Sequence, residues 1–133
     1  MAFESFAELA RVDLKRVAIQ PSRILVKTEF SGEARGARPQ TVFRFADDIV
    51  EKAGWAPGSS RIELAIDRVD MAIRARQTHS GGYKLIGGTG RPYLKFTAAR
   101  GMPVTDEPRE ATDVVVVGGE VMLVLPPGVR LCA

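Results

Sequence analysis

The sequence predicts a mainly β protein, a small β-barrel with an N-terminal helix and one short internal helix. Short segments in which polar and apolar residues alternate recur along the chain, and this is the period of a half-buried strand. The 13 glycines and 8 prolines supply turn signals between these segments. The chain has 133 residues, of which 45% are hydrophobic, so residues 1–133 are predicted to form a single domain with a substantial core.

The N-terminal segment, residues 1–20, is predicted to contain the first helix. Apolar residues recur at spacings of three and four from Phe3 to Val17. Acidic residues come early in this stretch and basic residues late, which suits the helix dipole. The helix is expected to end before Pro21, because the residue before a proline avoids the helical region.

The first strand is predicted over residues 23–30. Its two sides carry Ile24, Val26 and Thr28 on one and Leu25, Lys27 and Glu29 on the other, which is apolar enough for at least one face to be buried. The loop at residues 31–39 that follows carries Arg35 and Arg38 between glycines and a proline. Such a loop is either solvated or an arm that contacts phosphates, and the sequence leaves both open.

The clearest unit spans residues 41–76. It starts with a strand at residues 41–45, and either Asp47 or Asp48 is predicted to open a short helix over residues 47–53, as acids do through capping and the helix dipole. Gly54 is expected to end that helix in a left-handed conformation. Two alternating strands follow at residues 61–67 and 71–76.

The second half of the chain is also predicted to be rich in strands. These strands cover residues 83–86, 93–97, 113–117 and 120–125. Gly118 and Gly119 form a two-residue turn between the last two strands, which is the best hairpin signal in the chain. A polar, acidic loop is expected over residues 101–112.

The two halves resemble each other in outline. Residues 41–76 and 92–127 both read as a strand, a connection and a hairpin, and Phe43–Phe45 compares with Leu94–Phe96. An internal repeat would let the halves interlock into one barrel over residues 23–127. Chance similarity between two β-rich segments is the alternative.

Composition excludes several classes of protein. The longest apolar runs, such as Val114–Val117, fall far short of the roughly 20 residues that cross a bilayer. The N-terminus has acid where a signal peptide has basic residues, so the protein is predicted to be cytoplasmic. A single cysteine, Cys132, and a single histidine, His79, predict neither a disulfide nor a metal site, and no cofactor is expected.

No catalytic constellation emerges, so the protein is predicted not to be an enzyme. His79 is interpreted as a turn residue, and Cys132 is next to the C-terminus, where chains fray. The glycine-rich segment Gly87–Arg91 lacks the Gly-Lys-Ser/Thr ending of a phosphate loop and precedes a strand rather than a helix.

The charge pattern suggests an anionic partner. Net charge is +3, and 14 of the 19 basic residues are arginine, whose guanidinium donates paired hydrogen bonds to phosphates. Tyr83 and Tyr93 lie between basic residues on predicted strands, where bases could stack. The predicted nucleic-acid site consists of Arg35, Arg38, Arg44, Arg74, Arg76, Tyr83, Lys84, Arg91, Tyr93 and Lys95. An arginine-rich composition without such a site is the alternative.

The acidic residues concentrate in the C-terminal third. Asp106, Glu107, Glu110 and Asp113 lie in the predicted loop and its border. They either mimic phosphates toward a basic protein partner or are solvated.

Residues 41–76 resemble the swapped-hairpin barrel family that includes the AbrB, SpoVT and MazE regulators. The resemblance rests on the strand at residues 42–45, the short helix, the turn Gly54–Gly58 and the paired strands after it. It implies a DNA-binding transcription regulator that acts as a homodimer. Asp47 and Asp48 depart from the family, which has Ile-Pro before the helix and a basic residue within it, so only Arg44 is carried over as a contact.

The sequence therefore predicts a small non-enzymatic nucleic-acid-binding protein, an AbrB-like regulator of phage or bacterial origin. The alternative is a protein-interaction module. This would be a phage or mobile-element factor that docks on a host protein, or a virion component that assembles with its own copies. The nucleic-acid hypothesis requires one face to carry Arg35, Arg38, Arg74, Arg76, Arg91 and Lys95.

Overall fold

The structure, a computed structural model, describes residues 23–30, 38–87 and 92–133. The predicted helix over residues 3–17 lies outside the described residues, and so do Arg35 and Arg91. Within the described part the protein is mainly β, as the sequence predicts, with eleven strands and one short helix.

Eight of the eleven strands correspond to segments that the sequence predicts as strands. They are β1 (Ile24–Glu29), β2 (Gln40–Phe45), β3 (Arg61–Asp67), β4 (Ala72–Thr78), β5 (Tyr83–Lys84), β6 (Tyr93–Thr97), β7 (Pro103–Thr105), β8 (Arg109–Glu110), β9 (Thr112–Val117), β10 (Glu120–Val124) and β11 (Val129–Leu131). Helix α1 (Asp47–Ala53) connects β2 to β3. The predicted strand at residues 83–86 is shorter than expected, with Ile86 forming only an isolated bridge to Tyr93.

Three antiparallel sheets contain all of these strands. A four-stranded sheet has the order β6-β2-β1-β8, a five-stranded sheet has the order β5-β3-β4-β10-β9, and β11 pairs with β7. None of the three sheets closes on itself within the described residues, so the predicted barrel is not confirmed.

The core lies between the two large sheets. Phe43 and Phe45 from β2, Ile73 from β4 and Leu123 from β10 all belong to one buried cluster. Phe43 also packs edge-to-face on Phe96, with ring centroids 5.4 Å apart. Burying a side chain of this kind stabilises the fold by about 1.5 to 3 kcal/mol. Because the inward residues of both sheets share one core, their other faces point outward on opposite sides of the protein.

Helix α1 begins at Asp47 and ends at Ala53, so the prediction that Asp47 or Asp48 opens this helix is confirmed. Its N-cap is Ala46, with no side-chain capping hydrogen bond, so neither aspartate is the N-cap residue. Both aspartates lie in the first turn instead, where they stabilise the helix dipole. Gly54 ends the helix at φ 75°, as predicted.

The predicted polar loop at residues 101–112 contains two short strands, β7 and β8, which the sequence analysis missed. The hydroxyl of Thr41 donates a hydrogen bond to the carbonyl oxygen of Pro103 (2.8 Å). The backbone N–H of Thr105 donates one to Thr28 Oγ1 (3.0 Å). Strands of two or three residues show no measurable alternation, so their existence depends on these partners. β11 has three residues and is likewise defined by its partner, since it pairs with β7.

Strands that correspond in the predicted repeat pair with each other. β2 pairs antiparallel with β6, with Phe43 opposite Leu94, and β4 pairs antiparallel with β10, with Ile73 opposite Leu123. β3 and β9 then lie on the outer sides of β4 and β10. Both large sheets therefore contain strands from both halves, which meet at the β2–β6 and β4–β10 pairings.

Candidate nucleic-acid interface

Six of the eight described residues of the predicted site are divided between the two outward faces, and Arg38 and Tyr83 lie on neither. The outer face of the four-stranded sheet, called here the basic face, carries Lys27, Arg44, Tyr93 and Lys95 on β1, β2 and β6. The outer face of the five-stranded sheet, called here the mixed face, carries Arg61, Glu63, Arg74, Arg76, Lys84, Val115, Val117 and Met122. The single surface that the sequence analysis required is not what the structure presents, because Lys95 lies on one face and Arg74 and Arg76 on the other.

Strand register builds the basic face. Arg44 lies opposite Leu25 on one side and Tyr93 on the other. In the next row Val42 lies between Lys27 and Lys95. Residues two positions apart point to the same side of a strand, so these two rows form one continuous patch. Val42 is 2% exposed and is not part of the central core cluster.

Arg44 and Tyr93 form a cation–π pair on this face. The guanidinium carbon of Arg44 is 5.3 Å from the centroid of the Tyr93 ring, within the range of a cation–π interaction. Both side chains are partly buried and partly exposed. A planar guanidinium on an aromatic ring presents a flat, positively charged surface, on which a nucleobase can stack.

The lysines of the basic face share one carboxylate. Glu29 lies 3.2 Å from Lys95 Nζ and 3.9 Å from Lys27 Nζ. All three side chains are more than one third exposed, and such surface pairs contribute about 0 to 1 kcal/mol. A phosphate could therefore replace Glu29 as the partner of the lysines at little cost in free energy. Two lysines and one glutamate also leave this group with a net charge of +1.

The mixed face is less suited to an anion. Glu63 forms an ion pair with Arg76 at 3.2 Å, and Glu120 is the neighbour of Arg76 on the other strand. Arg74 lies between Ala65 and Met122. Arg76 is thus flanked by acids and Arg74 by apolar side chains.

Tyr83 points toward the interior, not toward either outer face. Its ring centroid is 5.5 Å from that of Phe96, and it lines an apolar crevice of about 110 Å³ together with Leu64 and Met102. Base stacking on Tyr83 would require entry into this crevice. Tyr93 is therefore the better placed of the two predicted tyrosines.

The remaining predicted contacts are peripheral. Arg38 is exposed just before β2. Arg35 and Arg91 lie outside the described residues. Lys84 is exposed on the mixed face beside Arg61.

Members of the acidic cluster make ion pairs within the chain. Asp106 accepts from Arg130 at 3.1 Å, and Glu110 lies 3.2 Å from Arg23. Over residues 23–30, 38–87 and 92–133 no group of three His, Cys, Asp or Glu side chains is arranged to hold a metal ion. In the same ranges no helix has both the length and the apolar character needed to cross a membrane.

Sequence reasoning missed two features of these faces. Lys27 was read only as part of a strand, although its alternation with Ile24 and Val26 already placed it on the outward side. The outward valines of β9, Val115 and Val117, were read only as β-branched residues of a hairpin. Their position opposite Met122 required knowledge of the sheet order.

Comparison of the chain with protein-family models, with curated proteins and with solved structures finds no match. Its function therefore has to be inferred from the side chains and their arrangement.

Proposed function

We propose that this is a small, non-enzymatic, cytoplasmic nucleic-acid-binding protein whose contact surface is the basic face. The observation that carries the proposal is the Arg44–Tyr93 cation–π pair beside Lys27 and Lys95. A base would stack on the pair, and the two lysines would contact the phosphates on either side of it.

Single strands suit this surface better than duplexes. Flat four-stranded sheets with an aromatic side chain on the outer face are common platforms for unpaired bases. In a duplex the faces of the bases are stacked on one another and cannot reach Tyr93. Among the described residues the strand register places apolar Leu25 and Val42 beside Arg44, so binding is expected to depend weakly on sequence.

The proposal includes the predicted role as an AbrB-like transcriptional regulator of phage or bacterial origin. The order β2-α1-β3-β4 is the order that the resemblance implies, and the pairing of β2 with β6 and of β4 with β10 supports an internal repeat. On this proposal the two halves of one chain occupy the places of two subunits in a swapped-hairpin barrel. A regulator would also need to select a sequence in duplex DNA, so the experiment includes duplex probes.

The test uses pairs of identical substitutions on opposite faces. Arg44→Gln and Lys95→Gln change the basic face, while Arg74→Gln and Lys84→Gln are the matched controls on the mixed face. Fluorescence anisotropy with labelled single-stranded DNA, RNA and duplex DNA, measured over a salt series, gives the affinity and its salt dependence.

Arg44→Gln is expected to weaken single-strand binding by about 5-fold to about 150-fold, because base stacking contributes about 1 to 3 kcal/mol. Lys95→Gln should lower the salt slope by about 0.7, the value for one phosphate contact to a single strand. The control variants should bind like the wild type.

Equal losses in the controls would contradict the assignment to the basic face. Absence of binding at low salt, where electrostatic attraction is strongest, would contradict the nucleic-acid proposal itself. The protein-interaction module would then become the leading alternative.

A further inference from the structure

Strand β9 is an edge of the five-stranded sheet. Its partner on one side is β10, and the described residues supply no partner on the other. Natural edge strands are usually protected from pairing with another chain by lysine, proline or short length. β9 contains four consecutive valines, Val114–Val117, without lysine or proline, and its only irregularity, a bulge at Asp113, lies outside them.

The backbone groups that point to this edge can be identified from the hairpin register. Val117 and Glu120 flank the two-residue turn and form its hydrogen-bonded closing pair. Hydrogen-bonded and non-bonded pairs alternate in an antiparallel ladder, so Val115 bonds to Met122. The N–H and C=O groups of Val114 and Val116 therefore point away from β10, toward the free edge.

Exposed apolar side chains accompany these backbone groups. Val115, Val117 and Met122 are 50%, 68% and 46% exposed, and they are half of the six large exposed hydrophobic residues in the described part of the chain. Register makes them neighbours on the mixed face. Clustering of this kind is typical of an interaction surface rather than of scattered surface residues.

We propose that β9 is a homodimer interface, in which it pairs antiparallel with β9 of a second copy about a two-fold axis at Val116. In this register Val115 lies opposite the second copy's equivalent of Val117. Such a non-hydrogen-bonded pair has Cα atoms about 4.5 Å apart, so the exposed valines pack on each other. The five-stranded sheets of the two copies then form one continuous sheet.

The bulge in β9 selects this register. Asp113 has φ 50° at the point where the pairing with β10 shifts. An axis at Val114 would place Asp113 opposite Val115 and pair the irregular part of the strand. An axis at Val116 uses only the regular part and keeps the carboxylate away from the valines.

Charge and size agree with a second copy as the partner. A two-fold interface brings each surface against itself, so a charge at its centre would repel its own equivalent. Val114–Val117 carries no charge, and Glu120 lies one strand away. The paired segment is only about 17 Å long, so the interface it forms is small. Interfaces that bury less than about 1,000 Å² are weak, and a dissociation constant of roughly micromolar is therefore expected.

Sedimentation velocity of the full chain from about 1 µM to about 1 mM tests the proposal. The wild type should shift from the monomer mass of 14.4 kDa toward twice that value with rising concentration. Val117→Lys introduces a charged residue at an exposed edge position and should remain monomeric. The matched control is Val69→Lys, since Val69 is 91% exposed in the β3–β4 turn, and this variant should dimerise like the wild type.

Amide hydrogen exchange provides a second measurement. The N–H groups of Val114 and Val116 should gain protection as concentration rises, while those of Val115 and Val117 are protected throughout. A wild type that stays at the monomer mass, or a Val117→Lys variant that dimerises normally, would overturn the proposal. So would masses above two copies, because a two-fold pairing closes at a dimer. No nucleic acid is present in these experiments, so their outcome is independent of the proposed function.

Discussion

The turn before β5 provides a test of how closely two backbone segments approach each other. Gly81 and Gly82 are adjacent and both have positive φ, 76° and 65°. A Cβ added at Gly81 has no heavy atom within 4 Å, whereas one at Gly82 would lie 2.5 Å from the carbonyl oxygen of Ile62 in β3. The perturbation is therefore alanine at each position, with Gly81→Ala as the control for Gly82→Ala.

The two variants share every cost except the steric one. Left-handed backbone conformation costs a non-glycine residue about 1 to 2 kcal/mol. Alanine also reduces the conformational entropy of the unfolded chain, which stabilises the folded state by about 0.4 to 1 kcal/mol in both variants. The collision at Gly82 is with backbone, which cannot rotate away, and overpacking of this kind costs about 1 to 3 kcal/mol more. The difference between the two free energies of unfolding therefore isolates the approach of the turn to β3.

Urea unfolding followed by far-ultraviolet circular dichroism measures this difference. Gly82→Ala should unfold at a clearly lower urea concentration than Gly81→Ala, with similar m-values. Surface substitutions without a special structural role change the free energy of unfolding by less than about 0.5 kcal/mol. If the free energies of unfolding of the two variants differ by less than this, the close packing of the turn on β3 is refuted.

Two further substitutions test buried hydrogen bonds in other parts of the fold. Thr41→Val should destabilise the protein by about 1 to 3 kcal/mol in thermal or urea unfolding, because it leaves the carbonyl of Pro103 without the hydroxyl donor. Thr41→Ser keeps the hydroxyl and is the control; equal stability of Thr41→Val and wild type would contradict the contact. Trp55→Phe removes the Nε1–H that donates to the carbonyl of Gly119 at 3.0 Å, and a similar loss is expected by circular dichroism. A melting temperature unchanged from the wild type would mean that this bond does not help to hold α1 to the β9–β10 turn.

Local sequence patterns were sufficient for most of the longer elements. Alternation identified β3 at its observed bounds, and Gly54 fixed the end of α1. The start of α1 at Asp47 was also identified, but not the N-cap residue, because an aspartate in the first turn and an aspartate at the cap give the same sequence signal. The strands β7, β8 and β11 could not be recognised, because two or three residues carry no periodicity.

The candidate site was predicted only in part. Arg44, Tyr93 and Lys95 were identified from strand composition, and the structure brings them together with Lys27. Arg74 was grouped with them because both sets lie on basic strands. Nothing in a single strand indicates which sheet it will join, so the sequence could not separate the two faces.

By itself, the sequence determined that the chain would be built from short alternating strands, since the period of two is a property of neighbouring residues. It also determined which side of each strand would be apolar. Only the tertiary structure decided that β2 pairs with β6 and β4 with β10, because pairing depends on contacts between residues far apart in the chain. That pairing order places the Arg44–Tyr93 cation–π pair on one face and, among the described residues, leaves the valine edge of β9 without a partner strand on the other sheet.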